Sequence, residues 1–178
     1  TFVFGSVGSL IPRKANHHTL EALAQFSQKN PDAKWKMVLV GEGGERDALI
    51  AQATALGIEK QVIFTGFQNT PFDYLATFDA FILASQSEGL PRVVLEAMLL
   101  NIPVIGSQVT GTAELIDPGS TGLLFPWGDI LQLAAHLESI WKDADLRARL
   151  ALAARQNVCG TYAIEQYVSG VEAVLGAK

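Results

Sequence analysis

The sequence predicts an α/β fold: a Rossmann-like, doubly wound parallel sheet of about six strands, with helices on both faces and a helical C-terminal segment. Two observations predict it. Apolar runs of strand length alternate with segments of helical period along the chain. Those runs are short and continuously apolar, the pattern of strands covered on both faces rather than one. The right-handed crossover of β-α-β units then favours a doubly wound sheet.

The first strand, residues 2–8, starts in the apolar run Phe2-Val3-Phe4. Helical period follows over 17–29, and Trp35-Lys36-Met37-Val38-Leu39-Val40 gives the second strand, 35–40. Residues 45–56 return to helical period. Val62-Ile63-Phe64-Thr65 is the third strand, 62–65, and a short helix spans 72–77. The fourth strand, 80–84, is wholly apolar: Ala80-Phe81-Ile82-Leu83-Ala84. A helix over 92–100 follows, with Pro91 in its first turn, where the missing N–H costs nothing and the fixed φ suits a helix. Strands at 103–106 and 122–125 complete the sheet, and 130–142 is helical. Beyond Phe125 no strand pattern returns; 143–160 and 163–177 read as helices. No repeat, low-complexity tract or interior linker interrupts the chain, so residues 1–178 form one domain.

Composition narrows the function classes. A hydrophobic fraction of 49% and a charged fraction of 17% describe a globular chain with a substantial core. No apolar run reaches the roughly 18–20 residues that span a bilayer. Net charge is −5, which argues against broad nucleic-acid binding. The single Cys159 has no internal disulfide partner, so a reducing compartment and a packing role are expected for it. The chain begins directly in a strand and lacks a signal-peptide pattern; it reads as trimmed from something longer.

Ligands of such sheets bind beyond the carboxyl ends of the strands. The expected strand-end loops are rich in glycine and polar residues: 8–14, 41–44, 66–69, 85–90 and 108–112. The most informative lies between the fourth strand and its helix, where Glu88 and Glu96 stand eight positions apart. Glu88 falls in the loop at the helix mouth and Glu96 more than a turn inside. Unpaired amides at that mouth favour an anion such as phosphate, and a carboxylate nearby accepts hydroxyl hydrogen bonds from a sugar or ribose. Arg92 and Glu96, at i,i+4, can alternatively pair with each other. Arg13 and Lys14, between the first strand and first helix, suit a diphosphate, or else a solvated helix approach. Gly41-Glu42-Gly43-Gly44 resembles a dinucleotide fingerprint only in part, since Arg46 occupies its last glycine position; a tight turn is the simpler reading. His17 and His18 belong to a helix start, and no ligand cluster suggests a metal.

In order along nearly the whole chain, these blocks resemble the C-terminal, donor-binding domain of family 4 retaining glycosyltransferases of the B-type two-domain fold. The markers are Val7-Gly8-Ser9-Leu10 with Lys14, Leu39-Val40-Gly41-Glu42-Gly43, and Val62-Ile63-Phe64-Thr65-Gly66-Phe67. They continue through Ser87-Glu88-Gly89-Leu90 with Leu95-Glu96-Ala97-Met98, then Ile102-Pro103-Val104-Ile105, Thr110-Gly111-Thr112-Ala113-Glu114, and Ser120-Thr121-Gly122-Leu123-Leu124. The resemblance implies transfer of a hexosyl group from a nucleoside diphosphate sugar to an acceptor hydroxyl with retention, in bacterial surface polysaccharide or lipopolysaccharide synthesis. It implies catalytic roles for Glu88, which orients the donor sugar, and Lys14, which stabilises the leaving diphosphate. Donor-binding roles fall to Glu96 at the ribose, to Arg13, Ser9, Gly8, Gly41 and Gly43, to Phe67 near the base, and to Gly89, Leu90 and Pro91 at the helix mouth.

The same resemblance implies no obligatory metal or other cofactor, with a UDP-sugar as favoured donor and a GDP-sugar next. The acceptor, a saccharide or a lipid-linked one, would meet an N-terminal domain that precedes residue 1. A cytoplasmic enzyme, peripheral at the inner membrane face, is the expected setting. Three positions depart from the family pattern. Ser9 replaces an arginine, for which Arg13 is the available substitute, and Ala15 and Asn101 replace glycines. The alternative readings are a non-catalytic nucleotide-sugar-binding module and a sugar-nucleotide epimerase of related fold.

Overall fold

Six parallel strands form one sheet in the order β3-β2-β1-β4-β5-β6 in the computed structural model, which describes residues 1–161. The strands are β1 (Phe2–Val7), β2 (Trp35–Val40), β3 (Val62–Gly66), β4 (Ala80–Leu83), β5 (Val104–Ser107) and β6 (Leu123–Phe125). Seven helices accompany them: α1 (Asn16–Lys29), α2 (Arg46–Ala55), α3 (Pro71–Leu75), α4 (Arg92–Leu99), α5 (Thr110–Leu115), α6 (Ile130–Lys142) and α7 (Ala144–Thr161). Every strand pairing is parallel. All strand carboxyl ends therefore share one edge, and five predicted loops converge there. The helix expected over 163–177 lies outside the described residues.

Each face of the sheet has its own core. Phe4, Phe26, Trp35 and Met37 pack with buried residues of α1, α2 and α6 on one face. Leu75, Phe81, Val94, Met98 and Val158 pack on the other. Both faces being covered, all four residues of β4 and of β5 are buried, which explains the unbroken apolar sequence of β4; the polar Ser107 at the end of β5 donates to the Ser85 carbonyl. Phe4, Phe26 and Trp35 meet edge to face, and Phe26 reaches Trp141 of α6 in the same way.

Side chains mark several helix ends. Asp129 accepts from the Gln132 amide at the start of α6, and Asp143 accepts from Leu146 at the start of α7. Arg147 donates to the Ile140 and Trp141 carbonyls and so covers the end of α6.

Several expectations need correction. Helix α4 begins at Arg92; Pro91 precedes it with ψ 89°, outside the helical range, so the proline is a cap rather than the first helical residue. The expected 108–112 loop turns helical at Thr110, a short element hidden by Gly111 and two poor helix formers. Residues Pro12–Lys14 form a 3₁₀ turn in a stretch expected to be loop. Arg92 and Glu96 make no ion pair with each other. Cys159 is exposed rather than packed. Among the described residues, no helix is long and apolar enough to cross a membrane.

Candidate functional site

Strand order reverses between β1 and β4, so the chain leaves these neighbours in opposite directions and opens a crevice at the carboxyl edge. The loop after β1 ends in the 3₁₀ turn with Arg13 and Lys14; the loop after β4 contains Glu88. These loops are bonded to each other. The Gln86 amide donates to the Arg13 carbonyl at 2.8 Å, and Arg13 Nη1 donates to the Ser87 carbonyl at 2.5 Å. Lys14 Nζ donates to Glu88 Oε1 at 2.7 Å, while Arg13 Nη1 stands 3.5 Å from Glu88 Oε2. The Lys14 and Glu88 side chains are only 17% and 8% exposed, against 45% for Arg13. Lys14 is therefore the better shielded partner.

Burial opposes the charge on Glu88. The hydrogen bond from Lys14, the nearby Ser85 hydroxyl, and the charges of Lys14 and Arg13 outweigh it and hold the carboxyl below its usual value of 4.5. The buried Ser85 hydroxyl has no well-formed hydrogen bond, so the lysine decides that balance. Glu88 is thus an anion across the physiological range.

A cavity of about 340 Å³ opens on the β2–β3 side of this pair. Its walls come from the ends of three strands: Val7, Gly8 and Ser9 after β1, Val40, Gly41 and Glu42 after β2, and Phe67, Gln68 and Pro71 after β3. Gly8 connects cavity and ion pair, because a Cβ at Gly8 would lie 3.6 Å from Lys14 Cε. The Gly41 and Gly43 loop presses on the loop after β1. A Cβ at Gly41 would meet the Gly8 carbonyl oxygen at 2.1 Å, and one at Gly43 would meet that of Leu10 at 2.2 Å. Gly41 also has φ +135°, so both conformation and contact demand glycine there.

Chemically, the arrangement sets an apolar, glycine-walled cavity beside one shielded cation and one ionised carboxylate. Among the sequence-predicted residues, Gly8, Ser9, Gly41 and Phe67 line the cavity. Arg13, Lys14 and Glu88 form the adjoining charged cluster. Gly89 and Leu90 lie in the loop before α4, with Leu90 exposed and the Gly89 carbonyl against Gly111. Glu96 is half-buried on α4 and is not among the cavity's lining residues. Gly43 packs against the Leu10 backbone rather than lining the cavity, and Pro91 is buried.

Residues 1–157 match the family described as glycosyl transferases group 1. The chain belongs to this family. It is 32% identical over 173 residues to the lipopolysaccharide core biosynthesis glycosyltransferase LpsE of Rhizobium meliloti, covering 97% of this chain and 49% of LpsE. Among solved structures, Anabaena Alr3699/HepE in complex with UDP superposes with a TM-score of 0.90 at 29% identity, covering 100% of this chain and 49% of that one. The C-terminal domain of a glycosyl transferase group 1 family protein (LpcC) from Francisella tularensis superposes with a TM-score of 0.80 at 28% identity, covering 90% and 86%. The chain thus spans about half the length of LpsE and HepE.

Within this group 1 glycosyltransferase chain, Glu42 and Gln68 lie in the expected ligand loops 41–44 and 66–69 without having been singled out, and Pro71, beyond those loops, also lines the cavity. Gln68 Nε2 donates to the Thr65 carbonyl at 2.9 Å, which fixes the amide's orientation because a carbonyl only accepts. Its position directly after Gly66-Phe67 was the available signal. Polar residues in such loops are too common for that signal to stand out.

Proposed function

We propose that this chain is the donor-binding half of a retaining glycosyltransferase that moves a hexosyl group from a UDP-sugar to an acceptor hydroxyl. Nucleobase and ribose occupy the cavity between the loops after β1, β2 and β3, with Phe67 against the base and Glu96 toward the ribose. The diphosphate lies over Gly8 and Ser9 toward Lys14, with Arg13 adding positive charge where the family arginine is absent. As the bond from the anomeric carbon to the diphosphate oxygen breaks, negative charge grows on the diphosphate. Preorganised cations and amides are suited to stabilise it. Glu88 orients the donor sugar, and the amides of Gly89 and Leu90 hold the sugar or distal phosphate. An N-terminal domain supplies the saccharide or lipid-linked acceptor. The setting is bacterial surface polysaccharide or lipopolysaccharide synthesis on the cytoplasmic side, with peripheral attachment to the inner membrane.

The observation behind this reading is the 2.7 Å pairing of Lys14 with Glu88 at the switch point, next to a cavity of about 340 Å³. The UDP complex of HepE supports the choice of base. Calorimetric titration with UDP, GDP and ADP tests it, alongside Lys14→Ala and Glu96→Ala. Saturable UDP binding weakened by both substitutions is the expected result. A folded chain that binds none of the three would sink the proposal. Transfer by a protein that includes the N-terminal domain distinguishes an enzyme from a binding module.

A further inference from the structure

Lys14 stands between the Glu88 carboxylate, which it holds at 2.7 Å, and the Gly8 backbone in the cavity wall, where a Cβ would lie 3.9 Å from Nζ. The second cation of the site is engaged in the same way. Arg13 gives Nη1 to the Ser87 carbonyl and faces the other Glu88 oxygen at 3.5 Å. Both positive charges expected at the diphosphate are therefore turned toward one carboxylate. The contact is shielded as well as short, since Glu88 is 8% exposed and Lys14 17%. An ammonium is a compact charge on a flexible stem, so it can change partners without backbone movement.

From this geometry we infer that the Glu88 carboxylate and the diphosphate of a nucleoside diphosphate compete for the Lys14 ammonium, so that the diphosphate displaces Glu88 from Lys14. The inference rests on the nucleotide-sugar reading above and adds an order to it. Diphosphate arrival draws the Lys14 ammonium toward the phosphate oxygens, and the Glu88 carboxylate is released to accept hydrogen bonds from the donor's sugar. Until then the carboxylate is occupied, so a free sugar meets a site whose acceptor is already engaged. No bond is made or broken in this exchange; the lysine swaps one anionic partner for another. The Gln86 amide to Arg13 carbonyl bond is a backbone contact, so it keeps the two loops together while the side chains exchange.

The test is a titration of four proteins with UDP and, separately, with uridine: the unaltered chain, Glu88→Gln, Lys14→Met and the double variant. Under the exchange, Glu88→Gln removes the competitor and tightens UDP binding about fivefold, the scale of one partly screened ion pair. Uridine affinity stays equal in the two proteins, which also shows that the variant is folded. In the Lys14→Met background the gain from Glu88→Gln falls to the small remainder due to removing a negative charge. UDP binding that is unchanged or weaker in Glu88→Gln overturns the exchange and leaves the donor site standing. An equal gain in both backgrounds overturns it too, because simple repulsion then explains the effect. Failure of UDP and uridine to bind any of the four proteins overturns the nucleotide reading and the exchange with it.

Discussion

Gly111 at the start of α5 rests against Gly89 so closely that a Cβ on Gly111 would come within 1.6 Å of the Gly89 carbonyl oxygen. The Gly111 amide also donates to the Glu88 carbonyl at 3.3 Å. This backbone-to-backbone approach fixes the loop that presents Glu88. A side chain cannot be absorbed by rotamer change here, because the obstacle is main chain. Gly111→Ala should lower stability by about 2 kcal/mol, in the range for overpacking. It should also disturb Glu88 and weaken binding of a UDP-sugar more than that of UDP. Urea unfolding and paired titrations with the two ligands check this, and unchanged midpoints would contradict the packing argument.

Ala15 and Asn101 have φ of 48° and 62°, and among the described residues they are the non-glycine positions with positive φ. They are also the two positions at which the family resemblance read from the sequence expects glycine. The left-handed region costs an alanine about 1–2 kcal/mol, partly offset by the entropy a glycine loses on folding. Ala15→Gly should therefore stabilise the chain by about 0.5–1 kcal/mol. Asn101→Gly should gain less, because asparagine tolerates this region better. The denaturation midpoint measures both; a loss of stability in Ala15→Gly would mean that its buried methyl contributes more than the backbone strain.

These cases show where the sequence was legible. Continuous apolar runs such as 80–84 declare a doubly covered strand, because burial on both faces leaves no polar alternation to misread. The topology and the convergence of loops on one edge followed from that. Short elements were not legible: Thr110–Leu115 contains a glycine and two threonines, and its Gly111 amide donates to the Glu88 carbonyl of a loop distant in sequence. The pairing of Lys14 with Glu88 was equally hidden, since it joins residues 74 positions apart. Only strand order brings them together.

Acid should destabilise the chain in two steps. The His18 pKa is lowered below 6.5 by burial and by His17, with Glu21 opposing. Below pH 6.5 the unfolded chain therefore binds a proton that the folded chain resists, and stability falls as pH drops toward the lowered value. Glu88 acts later. Its folded pKa lies below 4.5, so its contribution is complete above that value and is lost as pH falls through the folded pKa. His18→Gln should flatten the first step and Glu88→Gln the second, measured as unfolding midpoints from pH 7 to pH 3. A profile unaltered by either substitution would refute the assignment.

Asp79 illustrates a purely structural polar contact. Its Oδ2 accepts from the Val3 amide at 2.7 Å, and its own amide donates to the Val3 carbonyl at 2.8 Å. The carboxylate thus satisfies a β1 donor just before the β1–β4 ladder begins at Phe4 and Ala80. Asp79→Ala removes that acceptor from an exposed hydrogen bond and should cost about 0.5–1.5 kcal/mol. Uridine binding should survive, because Val3 lies at the opposite end of β1 from the cavity. A large loss of affinity in a variant that remains folded would count against this division of labour.

Phe67 and Lys14 should separate base recognition from phosphate recognition. Phe67 is 70% exposed although it is a large apolar side chain, and it forms part of the cavity wall. Leaving such a ring in water is unfavourable unless a ligand covers it, and stacking of a base on an aromatic is worth about 1–3 kcal/mol. Phe67→Ala should then weaken uridine and UDP by the same factor, about 5- to 160-fold. Lys14→Ala should weaken UDP strongly and uridine hardly at all, since the ammonium acts on the phosphates. Equal losses for both ligands in both variants would mean that the substitutions damage one shared structure. The opposite pattern, with Phe67→Ala affecting UDP alone, would place the base away from the loop after β3.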